Sequence, residues 1–291
     1  MKNNVGTSYL HQIKNLASLS KVYLSLAISF SSFAGYFIYT NDLSDRLLLV
    51  VSGVFFLSCG ASSLNQYQER RTDAMMSRTS GRPIPSKQIT PSQALVIATV
   101  FIMIGSILLY KLNPLCLILG LFNILWYNGV YTPLKYKSSF AVFAGSISGA
   151  VPPLIGYVAA GGTFYHPSIL FVSLFMYLWQ IPHFWLLLIR YKEDYKKAGI
   201  PVVTIKIPEY IFFKIIFIWI VATSMTSLFF PYFGIITKSS SVIALTGLNI
   251  GFIFLFFRIV FSNPGKQVIK TAFIVLNAFM ILVLLVLILK F

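Results

Sequence analysis

Acid is the scarcest chemistry in this chain. Aspartate and glutamate together number 7 in 291 residues, against 23 lysines and arginines, and only 10% of the chain is charged. A soluble domain of this length carries far more charge on its surface, so that class is excluded. Cysteine is almost as rare. Cys59 and Cys116 fall within or beside apolar runs, which excludes a disulfide framework or thiolate metal centre and leaves two small packing residues. The sequence has no P-loop, no C-x-x-C-H motif and no Ser–His–Asp constellation. Nucleotide-driven and triad chemistry therefore find no support.

What is abundant is apolar. Hydrophobic residues make up 57% of the chain and the mean hydropathy is +0.80, which points to a polytopic membrane protein. Nine runs of spanning length can be read: Lys21–Tyr39, Leu47–Leu64, Pro91–Tyr110, Pro114–Tyr131, Phe140–Ala160, Ser168–Arg190, Tyr210–Phe230, Ser241–Phe261 and Val268–Leu289. Backbone groups in lipid must be satisfied within the segment, and these runs lack the alternation of barrel strands. The expected fold is an all-α bundle of nine transmembrane helices in one domain, 1–291. A short amphipathic segment, 1–20, precedes it. The first run is long enough to be a retained span rather than a cleaved leader. An N-terminus poor in arginine favours a bacterial inner membrane over an organelle.

The net charge of +16 does not indicate nucleic acid, because the charges sit in short loops between apolar runs. The partner they imply is the lipid bilayer. The N-terminal segment and the loops after spans two, four, six and eight hold 19 of the 23 basic residues. That bias predicts a cytoplasmic N-terminus and an outer C-terminus. Two polar segments, 65–90 and 190–208, then face the same compartment.

The first of these opens with Asn65–Pro83, the most polar stretch of the chain. Asn65, Glu69 and Asp73 are spaced by four, which on a helix puts three oxygen ligands on one face. Such ligands suit a hard cation such as Mg²⁺. Arg78 and Arg82 follow, each a planar fork that matches phosphate oxygens. A cytoplasmic loop is often basic for topological reasons alone, and that would account for Arg70, Arg71, Arg78, Arg82 and Lys87. It does not account for the three aligned oxygen ligands.

Elsewhere the signals are single residues. Lys135 and Lys137 sit beside Tyr131, as positive-inside anchors or, for Lys135, in reach of a phosphate. Gly145 and Gly149 form a G-x-x-x-G pair, which usually means helix packing, and Pro152 and Pro153 would bend the same span. His183, one residue after Pro182, lies inside an apolar run with Gln180 nearby. It is either a functional group or the partner of a carbonyl freed by the proline. Glu193 and Asp194 stand among lysines, as a second metal or phosphate site or as surface ion pairs. Spans seven to nine read as wall, with Asn277 the main exception.

Three motifs together resemble the UbiA superfamily of intramembrane prenyltransferases, and within it the branch that farnesylates haem. The first is N-x-x-x-E-x-x-x-D-x-x-M-x-R-T-x-x-R-P, from Asn65 to Pro83. The second is Y-T-x-x-K followed by G-x-x-x-G-A-x-P-P, from Tyr131 to Pro153. The third is W-Q-x-P-H-F followed by D-Y-x-x-A-G-I-P, from Trp179 to Pro201. The resemblance implies farnesyl diphosphate and haem b as substrates, Mg²⁺ as cofactor and a downstream haem-modifying membrane enzyme as a partner. It implies metal ligation by Asn65, Glu69, Asp73 and Asp194, and diphosphate binding by Arg78, Arg82 and Lys135. It also implies a second polar site at Asp194 and Tyr195, and a haem contact at His183 and Gln180. Three positions depart from the pattern: Glu69 replaces a usual Asp, Arg71 a common acid and Tyr136 a common basic residue. The competing readings are a prenyltransferase acting on an aromatic quinone precursor and a transporter. A transporter would put its charges near the bilayer midplane rather than at one surface.

Overall fold

The structure is a computed structural model that describes residues 4–203, 207–261 and 266–289. Its helices are α1 (Asn4–Leu19), α2 (Val22–Tyr39), α3 (Asp45–Met75), α4 (Pro91–Leu112) and α5 (Pro114–Ile124). A π-helical turn, Leu125–Tyr131, and the short α6 (Thr132–Leu134) continue α5. Then come α7 (Ala141–Ala159), α8 (Pro167–Arg190), α9 (Lys192–Lys197), α10 (Glu209–Leu228), α11 (Ser239–Phe261) and α12 (Lys266–Leu289). Nine helices among the described residues are long and apolar enough to cross a membrane, and no strand is present. The expected bundle of nine spans is what is found. Lys2, Lys206 and Lys290 of the orientation argument, and residues 204–206 of the second polar segment, lie outside the described residues.

The main difference from the sequence reading is α3. The apolar run ends at Leu64, but the helix continues through the polar stretch to Met75, 31 residues in all. At 1.5 Å per residue that is about 46 Å, some 15 Å more than the hydrocarbon core requires. The last three turns therefore stand clear of the lipid tails. They stay helical because one face remains buried: Ser62, Asn65, Gln66, Glu69 and Asp73 are all enclosed. Thus 65–90 is a helix end followed by turns, rather than a loop throughout.

The bundle closes around α7. Helix α2 packs on α3, α7 and α12, while α8 packs on α7, α10 and α12. Among the glycine contacts, those between α2 and α7 bring backbone closest to backbone. A Cβ built on Gly156 would stand 1.9 Å from the Ser32 carbonyl oxygen, and one on Gly35 would stand 2.0 Å from that of Pro153. Small residues allow such contact where the hydrophobic effect cannot drive helix association. The G-x-x-x-G pair has a different role. Gly145 faces the Tyr131 ring, and Gly149 faces the Gln180 amide. Pro152 and Pro153 sit inside a helix that runs unbroken through them. Pro152 has no N–H to give Ser148, and that carbonyl instead accepts from Asn123 Nδ2 at 3.1 Å. Cys59 and Cys116 are buried and free, in line with a packing role.

Candidate active site

The site lies where α3 leaves the bilayer. The Asn65, Glu69 and Asp73 side chains share a face, and each oxygen group meets a cation or polar group from another element. Lys21, at the corner between α1 and α2, donates to Asn65 Oδ1 at 3.2 Å. Asn65 Nδ2 donates to Thr132 Oγ1 at 3.2 Å. Lys135 pairs with Glu69 at 2.5 Å, and Arg82 Nη1 reaches both Asp73 oxygens at 2.8 Å. These are the two ion pairs among the described residues. Asp73 is fully buried behind Arg82, whereas Glu69 and Asn65 open onto a cavity.

The two polar segments meet here. Asp194, at the start of α9, accepts from the Ser77 N–H and hydroxyl at 3.2 and 2.6 Å and from the Arg78 N–H at 3.1 Å. These donors, the Ser77 hydroxyl foremost, hold its carboxyl below the usual aspartate range. Asp194 thus pins the turn after α3, and the surface ion pair expected as one alternative is not formed. The Arg78 guanidinium stacks over Tyr191, 4.7 Å from the ring centre, and Tyr195 stands at the cavity mouth. Two of the three departures from the motif, Arg71 and Tyr136, lie off the cavity. Arg71 is on the exposed face of α3, and the Tyr136 hydroxyl bonds Thr72 Oγ1 at 2.9 Å.

The cavity has a volume of about 420 Å³, within the range of small-molecule sites. Lys21, Asn65, Glu69, Arg78, Arg82 and Lys135 line its polar end. It continues into the membrane between Trp179, Gln180, His183, Phe184, Asn277 and Met280. His183 is wedged between aromatic rings, with centroids at 4.9 Å for Trp179 and 4.8 Å for Phe273. Its Nδ1 makes no hydrogen bond to a carbonyl freed by Pro182. Asn277 stands within hydrogen-bonding reach of it and donates to the Phe273 carbonyl at 2.6 Å. The last third of the chain is therefore more than wall.

Sequence reading missed several lining residues. The π turn widens α5 by one residue and brings Tyr127 and Tyr131 together onto the cavity, 5.5 Å apart. Such turns recur at functional sites but leave no periodic trace in sequence. Lys21 read as a topological anchor. In the structure its backbone is left-handed, φ 46°, a conformation that costs about 1–2 kcal/mol for a residue with a Cβ. Burial, then the nearby Arg82, lowers its pKa to about 7, while Glu69 and Asp73 oppose the shift.

Comparison with known proteins places this architecture. The chain matches the UbiA prenyltransferase family over residues 28–283. A protoheme IX farnesyltransferase of Oleidesulfovibrio alaskensis is 32% identical over 234 residues, covering 80% of this chain and 83% of that protein. One from Geobacter sulfurreducens is 38% identical over 181 residues, 62% of this chain and 67% of that protein. The solved structure of a UbiA homolog from Archaeoglobus fulgidus bound to GPP and Mg²⁺ superimposes with a TM-score of 0.69 at 14% identity, covering 94% of this chain and 99% of that one. The fold is that of an intramembrane prenyltransferase, and the chain belongs to the UbiA prenyltransferase family. It is a multi-pass membrane enzyme.

Proposed function

We propose that the protein transfers a farnesyl group from farnesyl diphosphate to a vinyl group of haem b, with addition of water, giving haem O and diphosphate. The observation that carries this reading is the single cavity. Its polar end offers phosphate-binding cations and oxygen ligands, and the same space runs to a histidine held between aromatic rings. The relatives named protoheme IX farnesyltransferase supply the acceptor.

The residues fit a hard metal ion. Asn65 and Glu69 open a neutral and an anionic oxygen onto the cavity, while Asp73 on the same helix face and Asp194 across the loop would join them by exchanging their bonds to Arg82 and to Ser77 and Arg78 for the metal. Mg²⁺ characteristically takes one or two carboxylates together with substrate phosphates. When bound, it supplies Lewis-acid stabilisation of the diphosphate leaving group. Arg78, Arg82, Lys135 and Lys21 give the diphosphate charge-assisted bonds that strengthen as the allylic C–O bond opens. Tyr127, Tyr131 and Phe184 shelter the farnesyl carbon from bulk water. His183, with Gln180 one turn before it, faces the porphyrin, as an iron ligand or as a wedge that orients the vinyl group. The N-terminus and both polar segments, 65–90 and 190–208, lie on the cytoplasmic side of a bacterial inner membrane. A haem-modifying membrane enzyme consumes the product.

Lys21 gives this reading a pH signature. Its pKa of about 7 means that the lysine loses its charge as pH rises from about 6 to about 8. Farnesyl diphosphate affinity, measured by titration calorimetry, should fall over that interval, since a neutral amine offers no charge-assisted bond. Lys21→Met should bind about tenfold more weakly at about pH 6 and show none of the lysine-dependent decline. Identical pH profiles for the two proteins would remove Lys21 from the site.

The reading is tested on purified protein in detergent with Mg²⁺, farnesyl diphosphate and haem b, with the haem fraction examined by mass spectrometry. The expected product is heavier by one farnesyl group plus water. Diphosphate release with unmodified haem would overturn the acceptor. His183→Ala should raise the KM for haem at least about tenfold while the KM for farnesyl diphosphate stays within about twofold. Equal effects on both would reduce His183 to packing.

A further inference from the structure

The proposed reaction needs one water molecule inside a chamber otherwise built to exclude water. Eight buried side-chain polar atoms among the described residues have no protein partner. Only four belong to residues that line the cavity: Asn123 Oδ1, Ser148 Oγ, Gln180 Oε1 and His183 Nδ1. An orphaned buried polar atom costs about 1–3 kcal/mol unless something bonds it. Several around one space define a polar pocket rather than scattered defects.

The first three come from α5, α7 and α8, with α7 packed against both of the others. Asn123 Nδ2 is committed to the Ser148 carbonyl at 3.1 Å, which leaves Asn123 Oδ1 as a fixed acceptor. That bond exists because Pro152 frees the carbonyl. Gln180 Oε1 lies against Gly149, the next residue on α7, so close that a Cβ there would stand 1.7 Å from it. Glycine at 149 is therefore what lets the Gln180 amide approach α7. The pocket offers two amide oxygens and a hydroxyl in the same cavity as His183.

We propose that Asn123, Ser148 and Gln180 form a water-holding subsite that hydrates the intermediate cation; this rests on the haem-farnesylating reading. Ionisation breaks the farnesyl C1–O bond, and the electron pair leaves with diphosphate. The terminal vinyl carbon bonds to farnesyl C1, leaving positive charge on the vinyl carbon next to the porphyrin ring. Water donates hydrogen bonds to the two amide oxygens and accepts one from Ser148 Oγ, so its oxygen is aimed and made more nucleophilic. Its oxygen bonds to the cationic carbon, and the released proton passes to the departing diphosphate. Without a held water the cation instead loses a proton from the adjacent CH₂ to the diphosphate, and the product is an alkene lighter by one water.

The readout is product partition, which does not depend on overall rate. Purified Gln180→Met, Ser148→Ala and Gly149→Ala proteins are given Mg²⁺, farnesyl diphosphate and haem b in isotopically labelled water. The farnesylated haems are then separated and weighed. The alkene-to-alcohol ratio should rise about tenfold in each variant, the effect expected of losing one such bond. Gln180→Glu, which keeps the acceptor, should restore the wild-type ratio. Ser148→Ala removes only a hydroxyl and keeps the test alive if Gln180→Met does not fold. Wild-type ratios in Ser148→Ala and Gly149→Ala would overturn the subsite. Wild-type protein that releases diphosphate but leaves haem unmodified would overturn the reaction, and the subsite with it.

Discussion

Asp73→Asn is expected to lower farnesyl transfer by about a thousandfold or more, the scale of losing a central electrostatic stabiliser of the leaving group. The carboxylate is fully buried, and Arg82 Nη1 holds both its oxygens at 2.8 Å. An amide oxygen is neutral and binds a hard cation more weakly than the carboxylate it would replace. It also leaves the Arg82 guanidinium, 18% exposed at its side chain, without a counter-charge. Breaking a buried pair by removing one partner costs about 3–5 kcal/mol, so the variant should also unfold at lower temperature. The two effects separate when turnover is expressed per folded, monodisperse protein. Turnover within tenfold of wild type on that basis would contradict the role of Asp73 in the leaving-group clamp.

Gly156→Val should cost about 3 kcal/mol, at the upper end of overpacking effects, and sharply reduce the yield of folded protein. A Cβ at this position meets the Ser32 oxygen at 1.9 Å, the Ser32 carbon at 2.8 Å and the Tyr36 nitrogen at 2.9 Å. All are backbone atoms, so no rotamer change relieves the clash and α2 must move off α7. Ile28 and Ser31 of α2 and Pro152 and Ile155 of α7 all line the cavity, so the chamber distorts as well. Gly247→Ala on α11 is the control. Nothing lies within 4 Å of an added Cβ there, and the effect should stay within about 0.5 kcal/mol. Equal thermal stability of the two variants would contradict the close α2–α7 contact.

The spans were legible because lipid leaves so few ways to satisfy a backbone: long apolar runs can only be helices. The end of α3 was misjudged for the same reason. Hydropathy drops at Asn65, yet the helix goes on, because the polar side chains bury against Lys21, Thr132, Lys135 and Arg82 rather than against lipid. The spacing of Asn65, Glu69 and Asp73 still carried through, since it depends only on helical geometry. Lys21 was hidden. A lysine before a span satisfies the positive-inside rule by itself, and its contact with Asn65 spans 44 positions in sequence. Asn123 and Ser148 were hidden more deeply. Each is one polar residue in an apolar helix, and only their meeting across α5 and α7 gives them meaning.

The central claim is that one chamber joins a diphosphate clamp to a porphyrin site. The most direct test is an acceptor competition. Membranes containing the protein would receive Mg²⁺, labelled farnesyl diphosphate and equal concentrations of haem b and an aromatic quinone precursor, and the fate of the label would be read by mass spectrometry. The account predicts label on haem, as the farnesyl alcohol product, and none on the aromatic acid. Label on the aromatic acid with haem untouched would keep the prenyl-transfer fold and contradict the porphyrin site.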